Sequence, residues 1–171
     1  MKKIVLVTGA SHGIGREIAK EMTKDSIVIA NYNKSEEQAK SLQKEIGADL
    51  EIYKADVSKR SEVLEMINYI INKYGKIDVV INNAGIDLVK LFTEVTDYDW
   101  NYVINNNLYS AFCVSQEAAK HMIKQKYGVI INISSIFGII GASCESIYAV
   151  SKAGIDGLTK SLAKELRSFQ Y

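Results

Sequence analysis

Two pairs of residues in this sequence place a tyrosine four positions before a lysine: Tyr148 with Lys152 in YAVSK, and Tyr69 with Lys73 in YIINK. On a helix, residues i and i+4 share one face, so each pair brings a phenol beside an ammonium group. The cation stabilises the phenolate, which makes a tyrosine usable as a proton donor or acceptor near neutral pH. Either pair could equally be two surface residues of a helix, so the surroundings of each pair must decide between them.

A glycine-rich stretch, TGASHGIG at 8–15, indicates a second kind of chemistry. Its glycines are spaced G-x-x-x-G-x-G, after a short β-branched run and before a helical pattern. In that context Gly9 permits a tight turn, Gly13 lets the backbone approach a pyrophosphate, and Gly15 allows the helix to pack closely on the strand. The amides of the helix N-terminus would face the anion. The stretch therefore predicts a dinucleotide-binding turn.

The overall composition excludes several function classes. The chain has 171 residues, 47% of them hydrophobic and 24% charged, with a net charge of +1. This is the balance of an ordinary globular domain, with no basic face for nucleic acid or a membrane surface. The apolar run from Ile4 to Val7 is too short for a signal peptide, and Cys113 and Cys144 lie in no metal or redox spacing. We expect a cytoplasmic protein without a metal site.

Strand-like and helix-like segments alternate along the chain. Strands are predicted at KIVLVT, SIVIAN, LEIYKA, IDVVIN and GVIINIS, and one long helix is predicted from about Trp100 to Lys126. Leu158, Leu162 and Leu166 mark a last helix. This order predicts an α/β fold, a doubly wound parallel sheet with helices on both faces in three α/β/α layers. Ligands of such sheets bind beyond the carboxyl ends of the strands.

Four motifs follow the predicted strands in order: TGASHGIG, NNAG at 82–85, INISS at 131–135 and YAVSK at 148–152. Their order and mutual spacing resemble the short-chain dehydrogenase/reductase family over nearly the whole chain. The sequences of these motifs are most similar to those of the 3-oxoacyl-[acyl-carrier-protein] reductases, and sugar, alcohol and steroid dehydrogenases share much of them. The resemblance implies a single NAD(P)-binding Rossmann domain over residues 1–171. It also implies hydride transfer that reduces a ketone, with a 3-oxoacyl thioester of fatty acid biosynthesis as the substrate.

The resemblance distinguishes the two tyrosine–lysine pairs. Tyr148 lies 13 residues after Ser135, as the family pattern requires. It would be the general acid that protonates the ketone oxygen, and Lys152 would assist it and bind the nicotinamide ribose. Tyr69 has no neighbouring serine motif, and we interpret it as a packing residue with Lys73 as a solvated cation.

The resemblance also implies catalytic roles for Ser135 and Asn107, by their positions in the motifs. Ser135 would hydrogen-bond the substrate carbonyl and stabilise its developing negative charge. Ser134 is the alternative candidate for this role. Strand alternation puts the two serines on opposite faces, and the spacing to Tyr148 selects Ser135. Asn107 in NNNL matches the family asparagine that holds a water in the proton relay, although the residue alone would also suit a helix kink or a surface position.

Cofactor contacts are implied in the same way. Asp56 and Val57 resemble the pair that binds adenine, although Asp56 could also be a helix N-cap. The predicted cofactor-binding residues are Gly9, Ser11, His12, Gly13, Ile14, Gly15, Asn33, Lys34, Asp56, Val57, Asn83, Ala84, Gly85, Tyr148 and Lys152.

The end of the second strand favours NADP over NAD as the cofactor. Members that use NAD usually carry an acidic residue there to bind the ribose 2′-hydroxyl. In this chain the stretch is NYNKS, without an acid, and Lys34 could receive a 2′-phosphate. His12 occupies the turn position where NADP-dependent relatives often have a basic residue.

Family members usually continue well beyond the end of this chain, RSFQY. We therefore expect it to be C-terminally incomplete relative to the family, with GVIINIS as an exposed sheet edge. Two functions are compatible with these features: an NADP-dependent ketone reductase, and a weakly active or inactive nucleotide-binding remnant. A homodimer or homotetramer is expected, formed through the long helix and the helix after Tyr148, with no nucleic-acid or membrane partner.

Overall fold

The computed structural model describes residues 2–167 and contains a five-stranded parallel sheet of order β3-β2-β1-β4-β5. The strands are β1 (Lys3–Val7), β2 (Ser26–Tyr32), β3 (Leu50–Lys54), β4 (Val79–Asn82) and β5 (Val129–Asn132). All five correspond to the predicted runs. The α/β/α fold with a parallel sheet is confirmed.

Helices connect the strands and lie on both faces of the sheet. They are α1 (Gly13–Met22), α2 (Glu36–Ile46), α3 (Arg60–Tyr74), α4 (Asp97–Ile104), α5 (Ser110–Gln125), α6 (Phe137–Ile140) and α7 (Ser146–Leu166). A 3-10 turn covers Phe92–Glu94. No helix within residues 2–167 is long and apolar enough to cross a membrane.

Two hydrophobic clusters, one on each face of the sheet, form the core. One joins alternate residues of β1 and β4, such as Leu6 and Val80, to α3 and α5. The other joins the intervening residues, such as Val5 and Val79, to α1 and α2. Each fully buried side chain of Leu or Ile size contributes about 1.5–3 kcal/mol. Burial on both faces explains why these strands are continuous apolar runs instead of alternating patterns.

The predicted long helix from about Trp100 to Lys126 is present, because helical backbone runs without a break over residues 97–125, through α4 and α5. Between them, Asn105–Tyr109 form a π-helical turn. The inserted residue turns Asn107 into the interior, where none of its surface is exposed. Such single π turns are often found at functional sites.

Strand β5 pairs only with β4 among residues 2–167. Its outer side carries backbone groups without a strand partner, and 41% of Val129 and 43% of Ile131 are exposed. The expected exposed edge at this strand is therefore present in the described part of the chain.

Candidate active site

The turn between β1 and α1 packs directly against the residues that follow β4. Gly9 has a φ of +62°, and a Cβ there would lie 2.9 Å from the Cα of Ala84. A Cβ on Gly15 would overlap the side chain of Asn83. Glycine is therefore required at both positions, one for conformation and close approach and the other for close approach alone.

Thr8 joins the same two segments by hydrogen bonds. Its hydroxyl accepts the backbone N–H groups of Asn83 and Ala84 at 3.0 and 3.1 Å. In return, the Asn83 amide donates to the carbonyls of Thr8 and Gly9, both at 3.0 Å. The glycine turn and the NNAG motif therefore form one rigid unit at the carboxyl ends of β1 and β4.

A groove of about 650 Å³ opens above this unit. Its lining includes thirteen of the fifteen residues that the sequence predicts for cofactor binding: Gly9, Ser11, His12, Gly13, Ile14, Gly15, Asn33, Lys34, Asp56, Val57, Asn83, Ala84 and Gly85. The other two, Tyr148 and Lys152, lie on α7 beyond the end of the groove that Gly85 lines.

Sequence reasoning missed Asn31 as a residue that builds the groove. It is 2% exposed, and its Oδ1 accepts the N–H of Gly9 at 3.3 Å. Its backbone carbonyl accepts the N–H of Ala10 at 2.8 Å, and its Nδ2 donates to the Ala55 carbonyl at 3.0 Å. The available signal was a polar residue at the end of an otherwise apolar strand.

The groove wall formed by α4 was also missed. Tyr98 and Tyr102 stack with ring centroids 5.9 Å apart and an interplanar angle of 6°, and both line the groove. Their i, i+4 spacing places them on one face of α4. The other unpredicted lining residues are Tyr32, Ser35, Ala55, Ser58, Ile86, Asn101, Asn105 and Asn106.

Polar groups gather where the groove meets β2. The Ser11 hydroxyl lies 2.9 Å from Nδ1 of His12, and Lys34 is exposed. Arg16 is engaged elsewhere, with Glu45 at 2.8 Å and the Gln38 carbonyl at 3.0 Å. His12 and Lys34 are therefore positioned to meet an anionic group at this end of the groove.

Asp56 is not the N-cap of α3, because that position belongs to Lys59. The Asp56 carboxylate instead accepts both the N–H and the hydroxyl of Ser58, at 3.1 and 2.6 Å. The alternative interpretation of Asp56 as a helix cap is wrong, and its carboxylate stabilises the turn after β3.

Tyr148 and Lys152 occupy the first turns of α7. Nζ of Lys152 lies 5.6 Å from the centroid of the Tyr148 ring. Lys152 is 4% exposed and donates to the Ile133 carbonyl at 2.8 Å. Burial lowers the pKa of Lys152, and the charge of Asp156 opposes that shift. The ammonium group is thus held by the segment after β5, beside the phenol.

The two adjacent serines after β5 have different partners. The Ser134 hydroxyl donates to the backbone carbonyl of Lys152 at 3.3 Å, so it anchors the loop to α7. The Ser135 hydroxyl accepts the N–H of Phe137 at 3.2 Å, and its proton is not used in that bond. This contrast agrees with the choice of Ser135 as the residue that contacts substrate, a role that stays a prediction.

Asn107 is a buried residue of the π turn, so the possibility of a surface position is wrong. Its amide bonds the backbone of Ile86, accepting the N–H at 2.7 Å and donating to the carbonyl at 2.9 Å. The position that a Cβ of Gly85 would occupy lies 3.2 Å from Oδ1 of Asn107 and 3.7 Å from Nζ of Lys152. The groove therefore meets Asn107 and Lys152, two of the four predicted catalytic residues, at Gly85.

The second tyrosine–lysine pair lies away from this site, on α3. The Tyr69 hydroxyl donates to Glu51, and its ring lies 5.0 Å from that of Tyr53. The packing role of Tyr69 is confirmed. Lys73 is exposed, as a solvated cation is, and its ammonium also forms an ion pair with Glu51 at 2.7 Å.

Comparison with known proteins agrees with this geometry. Residues 3–170 match the family model described as short chain dehydrogenase. The chain is 41% identical to the 3-oxoacyl-[acyl-carrier-protein] reductase FabG of Staphylococcus aureus (strain Mu50), over 98% of this chain and 70% of that protein. It is 39% identical to the FabG of Thermotoga maritima, over 96% of this chain and 68% of that protein.

A solved structure is similar as well. It is a metagenomic short-chain oxidoreductase in complex with NADP, with a TM-score of 0.93 and 31% sequence identity, covering 98% of this chain and 78% of that one. From the family model, the curated relatives and this structure together, the chain belongs to the short-chain dehydrogenase family.

Proposed function

We propose that this chain is an NADPH-dependent reductase that converts a ketone to a secondary alcohol, with a 3-oxoacyl thioester of fatty acid biosynthesis as the substrate class. One observation carries the proposal. At Gly85 the dinucleotide groove meets Asn107 and Lys152, which lie 3.2 and 3.7 Å from the position of the missing Cβ. The similarity to the FabG reductases supports the substrate class.

The groove fits a dinucleotide phosphate. The N-cap of α1, His12, forms no side-chain capping bond, so the first amides of the helix remain available to an anion. His12 and Lys34 would bind the 2′-phosphate, while Asp56 and Val57 would contact the adenine. The similar metagenomic enzyme is in complex with NADP, which supports the choice of NADP over NAD.

The proposed reaction uses each catalytic residue once. When bound, NADPH would supply a hydride, and with it two electrons, to the carbonyl carbon. Tyr148 gives its hydroxyl proton to the carbonyl oxygen, so the C=O π bond is replaced by a C–H and an O–H bond. The Ser135 hydroxyl donates a hydrogen bond to the oxygen as negative charge develops on it. Lys152, whose ammonium lies 5.6 Å from the centroid of the Tyr148 ring, would bind the nicotinamide ribose, and Asn107 would hold a water that returns the proton.

The oxidation of NADPH, followed by its absorbance, tests the substrate class. We expect turnover with an acetoacetyl thioester and a lower kcat/KM with sugars that carry a carbonyl group and with simple ketones. Turnover of a sugar substrate in preference to the thioester would assign the chain to another activity of the family. Binding of NADPH with no turnover of any substrate would favour the nucleotide-binding remnant.

Calorimetric titration with NADPH and NADH tests the cofactor. Asn33 is exposed at the end of β2, whereas Tyr32 is 7% exposed, so Asn33→Asp introduces a carboxylate without disturbing the core. The carboxylate repels a 2′-phosphate, so affinity for NADPH should fall more than affinity for NADH. Asn101→Asp, on the α4 wall of the groove, is the matched control. Equal or tighter binding of NADH by the unmodified chain would contradict the assignment.

The same proposal extends to the whole chain. Residues 1–171 would act as one NAD(P)-binding domain that assembles as a homodimer or homotetramer through α4, α5 and α7. A cytoplasmic location belongs to the proposal, because a reductase of carrier-linked acyl groups must work where its carriers are.

A further inference from the structure

The Asn107 side chain joins three separate elements of the site. Its Oδ1 accepts the N–H of Ile86 at 2.7 Å, and its Nδ2 donates to the Ile86 carbonyl at 2.9 Å. The second proton of Nδ2 is directed to the hydroxyl of Ser151 at 3.0 Å. The π turn, the loop after β4 and helix α7 are therefore fixed to one another through a single amide.

Ser151 has its own hydrogen bonds fully determined. None of its surface is exposed. Its hydroxyl proton is donated to the backbone carbonyl of Tyr148 at 2.7 Å, so the oxygen can only accept from Asn107. A serine has one proton to donate and lone pairs that accept. The arrangement thus selects one orientation of both the serine hydroxyl and the asparagine amide.

The position of Ser151 in the chain gives this bond a consequence for the reaction. It directly precedes Lys152 and follows Tyr148 by three residues, so it lies between the two groups that act on the proton. The loop to which Asn107 binds follows β4 and includes Gly85 and Ile86, which line the groove. A shift of α7 relative to that loop would move Tyr148 and Lys152 away from the reacting carbonyl.

We propose that Ser151 is a positioning residue for ketone reduction, which acts through Asn107 to hold α7 in register with the Gly85–Ile86 loop. The inference rests on the proposed reductase function, because Tyr148 and Lys152 are the groups that it positions. Misplacement of a reacting group by about 1 Å can lower the rate about 10²-fold, so a hydrogen bond at this junction is sufficient to matter.

A second buried serine provides a matched comparison. Ser115 on α5 is 1% exposed, and its hydroxyl accepts Nδ2 of Asn82 at 2.9 Å. Ser115→Ala therefore removes the same kind of bond, between a buried serine and a buried asparagine amide, without involving α7. Both serine-to-alanine changes should lower the melting temperature to a similar extent.

Steady-state kinetics with an acetoacetyl thioester separate the two roles. In Ser151→Ala we expect kcat to fall about tenfold or more, with KM for NADPH changed less than about threefold. The pH profile of kcat should also be displaced, since proton transfer from Tyr148 is impaired. Ser115→Ala should leave kcat and its pH profile unchanged. Equal losses of kcat in both variants, or no loss in Ser151→Ala, would overturn the proposal.

Hydrogen exchange at the Ile86 amide supplies a readout that needs no substrate. This N–H is bonded to Asn107, so its exchange should accelerate in Ser151→Ala and remain unchanged in Ser115→Ala. Unchanged protection of the Ile86 amide in Ser151→Ala would refute the coupling. If the unmodified chain reduces no ketone, the proposed function fails, while this measurement still decides whether Ser151 positions Asn107.

Discussion

The two tyrosine–lysine pairs show how the surroundings of a residue determine its chemistry. Tyr148 shares its helix face with a lysine that is 4% exposed and lies at the end of the dinucleotide groove. The hydroxyl of Tyr69 is instead bonded to Glu51, with which Lys73 forms an ion pair. A proton donor needs a free hydroxyl near its substrate, and only the first pair offers one beside the groove.

Tyr148→Phe should remove most of the ketone reductase activity. General acid catalysis contributes about 10²–10⁴-fold, so kcat should fall within that range while NADPH affinity stays nearly the same. Tyr69→Phe is the matched control, with the same chemical change on a helical tyrosine four residues before a lysine, and should leave turnover nearly unchanged. A loss below about tenfold in Tyr148→Phe would show that another group donates the proton.

The buried ammonium of Lys152 should make folding stability depend on pH. Burial lowers its pKa in the folded protein below the model-compound value of 10.5. Between the pKa of the folded protein and that of the unfolded chain, the unfolded chain therefore binds more protons. The free energy of unfolding rises as pH increases through that window. We expect the melting temperature of the unmodified chain, relative to Lys152→Met, to increase as pH approaches 10.5.

Lys73→Met is the control for this pH dependence. The hydrogen bond to Glu51 raises the pKa of Lys73, so its stabilising contribution is complete below 10.5 and is lost only as pH rises above that value. The difference in melting temperature between the unmodified chain and Lys73→Met should therefore stay constant over the window in which the Lys152 difference grows. A flat difference for Lys152→Met would contradict the buried charge.

At the scale of elements, helix α4 begins with a capping box. The Thr96 hydroxyl accepts the N–H of Asp99 at 3.2 Å, and the Asp99 carboxylate accepts the N–H of Thr96 at 2.9 Å. Lys90 binds the same carboxylate at 2.7 Å. The hydrogen bond from Lys90, followed by those from Thr96, lowers the pKa of Asp99 to about 2.

Asp99→Asn should lower the melting temperature at neutral pH. A carboxyl group with a depressed pKa contributes stability above its unfolded value of 3.8, and this is lost as pH falls towards 2. The difference in the free energy of unfolding between the variant and the unmodified chain should therefore narrow over that range, as measured by denaturant unfolding at each pH. Asp97→Asn, in the same first helical turn, is the control. A difference that persists unchanged down to pH 2 would exclude the carboxylate as its source.

The strands and most helices could be predicted from the sequence because their signals are local. β-branched apolar runs and helical spacing are visible within a few residues. The π turn within the predicted long helix could not, since Asn107 is drawn inward by bonds to Ile86 and Ser151, 21 and 44 residues away. Asn31 was missed for the same reason, because its partners Gly9 and Ala55 follow the other strands β1 and β3.

At the scale of the whole molecule, α4 and α5 expose several large aromatic side chains. Trp100 is 45% exposed on α4, and Phe112 is 36% exposed on α5. Exposed apolar patches of this kind often mark protein–protein contacts, and symmetric dimers are the commonest oligomers. The structure thus offers a surface for the proposed assembly, although it contains a single chain.

Phe112→Asp should convert the assembled chain to a monomer. The guanidinium of Arg60 lies 5.5 Å from the Phe112 ring, so it can pair with the new carboxylate in the free chain, whereas a contact between subunits would bury that charge. Light scattering at micromolar concentration measures the mass of each variant. Trp100 is the one tryptophan of the sequence, so its emission should shift to longer wavelength as the subunits separate. Phe92→Asp, at a residue 77% exposed outside both helices, should leave the assembly intact. A stable monomer of the unmodified chain would refute assembly, and dissociation of both variants would place the contact elsewhere.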